Sequence, residues 1–228
     1  MDVPRGRIGP ALYVSWAVLA ICIPLAATGL TAENVTRLLV VGFLLVQLEL
    51  RRPIAAGLPG LPARARFVVL GTLLAAVVEG FYMISKPVFA SLRIEPGTGA
   101  VPALRSYALD LLFTLPAYLV IFSVIFAFVS RYRYGTWAYA VGLGFAQLMG
   151  DGGIFFFANA PALLLFLPSP MTNYHAMNLL PFLAVRDGLD PARPAPARAW
   201  LVVPAVIGTY LVCGAIIKAL GRAAGFGE

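Results

Sequence analysis

Long apolar runs separated by short polar segments dominate this chain. The runs lie near residues 11–30, 35–50, 67–86, 107–129, 137–149, 154–167 and 200–220. A helix of about 20 apolar residues crosses the hydrocarbon core of a bilayer, and most of these runs approach that length. The pattern predicts an all-α fold, a polytopic transmembrane helical bundle of about seven spans with short loops. We expect residues 1–228 to form a single integral membrane domain.

Two consecutive runs are too short to cross a membrane as ordinary helices. Residues 137–149 and 154–167 are separated by the sequence Gly-Asp-Gly-Gly at 150–153. Each run would be roughly 20 Å long as a helix, which is short of a core about 30 Å thick. The pattern therefore predicts a broken or re-entrant hairpin. The long polar stretch that follows contains residues 177–185, which we expect to form an interfacial helix.

Composition supports a membrane environment. Apolar residues make up 61% of the chain and charged residues 12%, whereas a soluble domain carries about 25% charged residues. The net charge is +7, and the basic residues cluster between the apolar runs. That placement is typical of topology signals and of contacts with anionic membrane lipids. We therefore expect membrane lipids, and no nucleic acid, among the partners.

The basic clusters also indicate an orientation. The positive-inside rule places the amino terminus in the cytoplasm, together with residues 51–66, 131–133 and 186–198. Seven crossings then leave Lys218 and Arg222 outside, against the rule. An eighth crossing near 177–185 would correct that, but it would move Arg186 and its neighbours outside. We expect seven crossings in a bacterial inner membrane.

Several kinds of chemistry are absent from the sequence. The chain has one histidine, which excludes multi-histidine metal centres, and His175 is expected to be an interfacial, solvated residue or a proton relay. Cys22 and Cys213 lie in apolar runs and are typical of small packing residues. No phosphate loop, dinucleotide fingerprint or zinc-ligand spacing is present. We expect neither a metal nor another cofactor.

Ionisable groups inside membrane spans are costly and are candidates for function by default. Glu79 lies well inside the third run, and helical spacing would place Tyr82, Met83 and Lys86 on the same face. One interpretation is a buried carboxylic acid that exchanges a proton with a substrate. The alternative is a structural group that is neutralised by Lys86 or by an arginine.

Two further acidic residues lie close to apolar runs. Asp110 falls near the start of the fourth run, where it could favour the positive end of a helix and stay hydrated. Asp151 belongs to the Gly-Asp-Gly-Gly segment, which is typical of an exposed turn. A turn held at membrane depth must instead be buried in protein or line a cavity.

The predicted topology brings these polar groups to one half of the bundle. Glu79, Lys86, Asp110 and Asp151 all fall in the outer half, which favours a polar cavity that opens outward. The candidate catalytic residues are Glu79, Asp110 and Asp151. The candidate substrate-binding residues are Tyr82, Lys86, Tyr107, Gln147 and Asn159.

Three functions fit this pattern. The first is an intramembrane enzyme that performs acid–base chemistry on a hydrophobic, lipid- or isoprenoid-like substrate, such as a cyclase or isomerase. In size and helix count the chain is similar to the small seven-helix terpene cyclases, which use membrane carboxylic acids. The second is a small proton- or cation-coupled transporter or channel. The third is a non-catalytic subunit that binds a partner chain or a second copy of itself.

Overall fold

A computed structural model describes residues 8–57, 60–189 and 196–226. Most of these residues are helical and none of them lies in a β-strand, so the all-α prediction is confirmed. The longer helices are α1 (Ile8–Thr28), α2 (Ala32–Glu49), α4 (Ala63–Tyr82), α5 (Ala100–Val129), α6 (Thr136–Leu148), α8 (Pro168–Val185) and α10 (Val202–Ala223). The short helices are α3 (Arg51–Ala56), α7 (Ile154–Asn159) and α9 (Pro196–Ala199).

Five helical segments are long and apolar enough to cross a membrane. They are Ile8–Thr28, Ala63–Tyr82, Ala100–Val129, Thr136–Asn159 and Ala197–Ala223. Large apolar side chains on their outer faces are exposed, for example Leu12, Leu73 and Leu112. Exposure of this kind suits contact with lipid, because hydrocarbon solvates such side chains. The prediction of an integral membrane protein is therefore supported.

Helix α8 lies in the interior of the bundle, packed against α1, α2, α4 and α6. Every residue from 171 to 178 is buried, including the polar Thr172, Asn173 and Asn178. Thr172 Oγ1 donates a hydrogen bond to the Ser169 carbonyl at 2.7 Å, which satisfies its hydroxyl without water. The expected interfacial helix at 177–185 is wrong, since those residues form the second half of this interior helix.

The break near Asp151 is present, but the hairpin is wrong. Residues Met149–Gly153 form a wide helical turn between α6 and α7, in which Gly152 has φ +90°. Glycine suits that left-handed value because it has no Cβ. The turn kinks the helix without reversing it, so Thr136–Asn159 is one candidate span. The chain returns through α8 instead, whose Arg186 end donates a hydrogen bond to Thr136 at the start of α6.

Contacts between connections define two ends of the bundle. At one end Arg66 Nη1 donates to the Ala184 carbonyl at 3.5 Å, and Tyr134 Oη donates to the Ala199 carbonyl at 2.6 Å. We call this the arginine-rich end, for Arg51, Arg64, Arg66, Arg131, Arg133, Arg186 and Arg198 in and beside these connections. At the other, the Lys86 end, Lys86 Nζ lies 2.9 Å from Glu33 Oε1.

Candidate functional site

A cavity of about 620 Å³ lies towards the Lys86 end of the bundle. Helices α2, α4, α5 and α8 contribute its walls, together with the kink and α7. Its polar lining consists of Glu33, Arg37, Glu79, Tyr82, Ser85, Lys86, Tyr118, Asp151, Asn173 and Tyr174. Its larger apolar lining consists of Leu148, Phe156, Phe157, Leu163, Phe166 and Met177. The cavity is therefore amphipathic, with carboxyl, hydroxyl and basic groups facing aromatic and aliphatic side chains.

Glu79 reaches the cavity from the last turn of α4, and its partner is a tyrosine. The Tyr118 hydroxyl on α5 donates a hydrogen bond to Glu79 Oε1, and Tyr118 is buried. The proposed pairing of Glu79 with Lys86 is wrong. Helix α4 ends at Tyr82, so Lys86 leaves the shared helical face and reaches Glu33 instead.

Asp151 faces the same cavity from the kink. Its Oδ2 accepts a hydrogen bond from the Tyr174 hydroxyl on α8 at 2.7 Å. The aspartate is exposed through the cavity opening, whereas Tyr174 is buried. Glu79 and Asp151 are thus two of the three carboxyl groups that line the cavity, and each of these two accepts a hydrogen bond from a buried tyrosine.

Asp110 lies apart from this arrangement. Helix α5 begins at Ala100, earlier than predicted, so Asp110 lies in its third turn and is fully buried. The expectation that it stays hydrated at a helix end is therefore wrong. Its Oδ1 accepts the Val88 N–H at 2.8 Å, while Oδ2 has no partner among the described residues. Asp110 holds the connection after α4 against α5 and does not line the cavity.

Some of the predicted substrate-binding residues also line the cavity, and others lie outside it. Tyr82 and Lys86 line the cavity, but Tyr107, Gln147 and Asn159 do not. Tyr107 donates its hydroxyl to the Ala76 carbonyl at 2.7 Å. Gln147 is buried and donates to Tyr210 Oη at 3.0 Å, and Asn159 is exposed on α7. In the described structure these three residues therefore serve helix packing or face outward.

Six of the polar cavity residues were not identified as candidates from the sequence: Glu33, Arg37, Ser85, Tyr118, Asn173 and Tyr174. Tyr118 was one of many aromatic residues in an apolar run, and no spacing rule related it to Glu79. Asn173 and Tyr174 were assigned to a polar connection. Their signal was available in retrospect, because polar residues from 169 to 178 recur on all sides of a segment long enough to be a helix.

His175 also differs from expectation. It is buried, with Nε2 3.1 Å from the Ala140 carbonyl, so an interfacial, solvated histidine is wrong. Its ring lies against Gly144, where a Cβ would be 2.7 Å from Nε2. The close approach of α6 to α8 here requires glycine.

The chemistry available in the cavity is therefore that of carboxyl and phenol groups. Among the described residues, no three histidine, cysteine, aspartate or glutamate side chains are placed to hold a metal ion. Carboxyl groups can give and take protons, and tyrosine hydroxyls can orient them by hydrogen bonding. Comparison of the chain with protein-family models, curated proteins and solved structures finds no match.

Proposed function

We propose that the protein is an intramembrane enzyme that performs acid–base chemistry on a hydrophobic, lipid- or isoprenoid-like substrate. The observation that carries this proposal is that Glu79 and Asp151, each bonded to a tyrosine, face one amphipathic cavity. Its volume of about 620 Å³ falls within the range of small-molecule sites, roughly 300–1,000 Å³. The substrate enters with its apolar part against the aromatic wall.

An isomerisation or cyclisation suits two carboxyl groups without a further cofactor. Such a reaction takes up one proton and releases another, so its atoms balance within the substrate. Glu79 donates a proton to a double bond or an oxygen atom, and Asp151 accepts the proton that leaves. Asp151 is exposed through the cavity opening, so it exchanges that proton with water. The aromatic rings of Phe156 and Phe157, which line the cavity, stabilise positive charge that develops on carbon.

The proposal includes seven crossings, in which α2 and α8 join the five apolar segments. Both have 18 residues, about 27 Å of helix. Helix α2 turns Asn34, Thr36 and Gln47 inward and exposes leucines, as a helix at a protein–lipid boundary should. Seven crossings separate the two termini across the bilayer. The arginine-rich end then faces the cytoplasm by the positive-inside rule.

The experiment compares Glu79→Gln with a matched control, Glu49→Gln. Glutamine keeps the shape and hydrogen bonding of glutamate but removes proton exchange, and Glu49 is exposed at the end of α2, away from the cavity. Lipids that co-purify with the wild-type protein are identified by mass spectrometry and supplied as substrates. We expect the wild type and Glu49→Gln to convert the same hydrophobic compound and Glu79→Gln to be inactive while remaining folded.

Two outcomes contradict the enzyme proposal. Normal turnover by Glu79→Gln would remove the catalytic role of this residue. A protein that binds ordinary phospholipid, and is stable only when a second chain co-purifies, would instead be a non-catalytic subunit.

A proton- or cation-coupled transporter is the second candidate, and a second pocket favours it. This pocket, about 380 Å³, lies at the arginine-rich end beside Tyr132, Arg133 and Arg186. Alternating access opens one site in turn to each side of the membrane, and a pocket at the arginine-rich end is where the second opening would begin. Purified protein in liposomes with an imposed proton gradient tests this: gradient-driven accumulation of a solute, lost in Glu79→Gln, would favour transport over catalysis.

A further inference from the structure

We propose that the substrate of this cavity is an amphipath with an anionic headgroup, a phosphate or a carboxylate, and that Arg37 binds that headgroup. This deepens the proposed function and rests on it, because the same cavity is the reaction site. Arg37 lies on α2, lines the cavity and is half-buried. A guanidinium presents five N–H donors in a planar fork that matches an oxyanion.

Arg37 forms no ion pair with a carboxylate of the described residues, although Glu33, one turn before it on α2, also attracts its charge. The hydrogen-bond partner of Arg37 is the hydroxyl of Ser169, which is neutral. The other basic residue of the cavity, Lys86, is paired with Glu33 at 2.9 Å. That pair is neutral as a unit, so the positive charge that remains on this wall belongs to Arg37.

Ser169 holds Arg37 against the cavity wall. It is completely buried at the start of α8, so the hydroxyl that orients the guanidinium is fixed by the interior of the bundle. One contact to Ser169 leaves several N–H donors of Arg37 for a ligand. A neutral, buried anchor of this kind positions the cation without consuming its charge.

Tyr82 supplies a second donor. Its hydroxyl oxygen accepts a hydrogen bond from Asn173 Nδ2, which leaves the Tyr82 proton free to donate to an anion in the cavity. Glu79 lies one helical turn before Tyr82 on α4, about 5 Å deeper. A headgroup held by Arg37 and Tyr82 therefore places a carbon near the start of the substrate chain beside Glu79.

The remainder of the lining fits an apolar tail. Phe156, Leu163 and Phe166 line the cavity, and the side chain of Phe156 is exposed. A chain lying along these residues can extend towards the membrane. Inorganic phosphate would use Arg37 without using this surface, so the anion and the tail can be tested separately.

The test measures binding to the full-length protein in a neutral detergent, by thermal unfolding and by titration. The probes are decyl phosphate, inorganic phosphate and decyltrimethylammonium. The variants are Arg37→Gln and a matched control, Arg93→Gln, whose arginine is exposed and paired with Glu95 at 3.3 Å outside the cavity. We expect decyl phosphate to stabilise the wild type and Arg93→Gln equally, and to bind Arg37→Gln roughly tenfold or more weakly.

Several other results would each contradict one part of the headgroup proposal. Equal binding of decyl phosphate by Arg37→Gln and wild type, or equal stabilisation by decyltrimethylammonium, overturns the headgroup assignment. Equal affinity for inorganic phosphate and decyl phosphate overturns the amphipathic substrate. If Arg37→Gln does not fold, Arg37→Lys replaces it, and undiminished affinity there overturns the role of the guanidinium fork.

Glu79→Gln separates this inference from the proposed function. We expect it to bind decyl phosphate as the wild type does, because Glu79 does not hold the headgroup. Retained binding with lost turnover supports both proposals. Glu79→Gln could instead turn over normally while headgroup binding still depends on Arg37. That result would contradict the acid–base mechanism but support the anion-binding site.

Discussion

The kink at Met149–Gly153 packs closely against α10, and Gly150 makes this close approach possible because it has no Cβ. A Cβ placed on Gly150 would lie 2.6 Å from the Tyr210 Cβ and 3.0 Å from the Ile207 Cα. Carbon atoms in contact are normally about 3.5–4.0 Å apart. The second neighbour is backbone, so a change of side-chain rotamer cannot relieve the contact. The two segments must move apart.

Gly150→Ala should therefore destabilise the protein by roughly 1–2 kcal/mol. Overpacking typically costs about 1–3 kcal/mol, and replacing a helical glycine by alanine returns about 0.5–1 kcal/mol. Because Asp151 is the next residue, displacement of the kink also lengthens its 2.7 Å hydrogen bond to Tyr174. Activity should fall further than stability alone explains.

The matched control is Gly214→Ala on α10, where nothing lies within 4 Å of an added Cβ. It should be neutral or slightly stabilising. Free energies of unfolding are measured for both variants by titration from a mild detergent into a denaturing one. Equal stabilities of the two variants would refute the close approach of the kink to α10.

Three further predictions concern the charged groups and the orientation. Asp151→Asn should reduce turnover while the midpoint of unfolding stays near that of the wild type; full activity would remove Asp151 from the mechanism. Glu33→Gln should change the free energy of unfolding by no more than about 1 kcal/mol, because the pair with Lys86 is largely exposed, and a larger loss would contradict that. With both native cysteines replaced, an impermeant thiol reagent added to intact cells should label a cysteine at Gly99 but not one at Gly57, and the reverse pattern would invert the proposed orientation.

Hydropathy was sufficient to predict the helical, membrane-embedded class and part of the cavity. Runs of apolar residues identify helices that lipid must solvate, and counting them placed Glu79, Lys86, Asp110 and Asp151 in the same half of the bundle. Glu79, Lys86 and Asp151 line one cavity, but Asp110 does not. The placement agrees because successive helices alternate in direction along the whole chain. An error of a few residues at a helix boundary therefore does not change the end of the bundle at which a residue is placed.

The same reasoning failed where a helix faces protein on every side. Hydropathy reflects the free energy of transferring a segment from water into lipid, and the polar residues of α8 gave it the low hydropathy of a loop. Conversely, the apolar run at residues 154–167 predicts one short, continuous arm of a hairpin, yet α7 ends at Asn159 and a tighter helical segment follows at Pro161–Phe166. Partners such as Tyr118 for Glu79 depend on the packing of two helices, which no local pattern contains.

The interior helix α8 is also the helix that orients three of the cavity side chains. Within two turns, α8 supplies Ser169 to Arg37, Asn173 to Tyr82 and the Tyr174 hydroxyl to Asp151. A more hydrophobic α8 would partition into lipid more readily, but it would leave three cavity side chains without the groups that orient them. Buried polar groups are tolerated in a membrane when each finds a partner. Helix α8 is therefore polar because it lies beside the cavity, and that polarity is the reason hydropathy did not identify it as a helix.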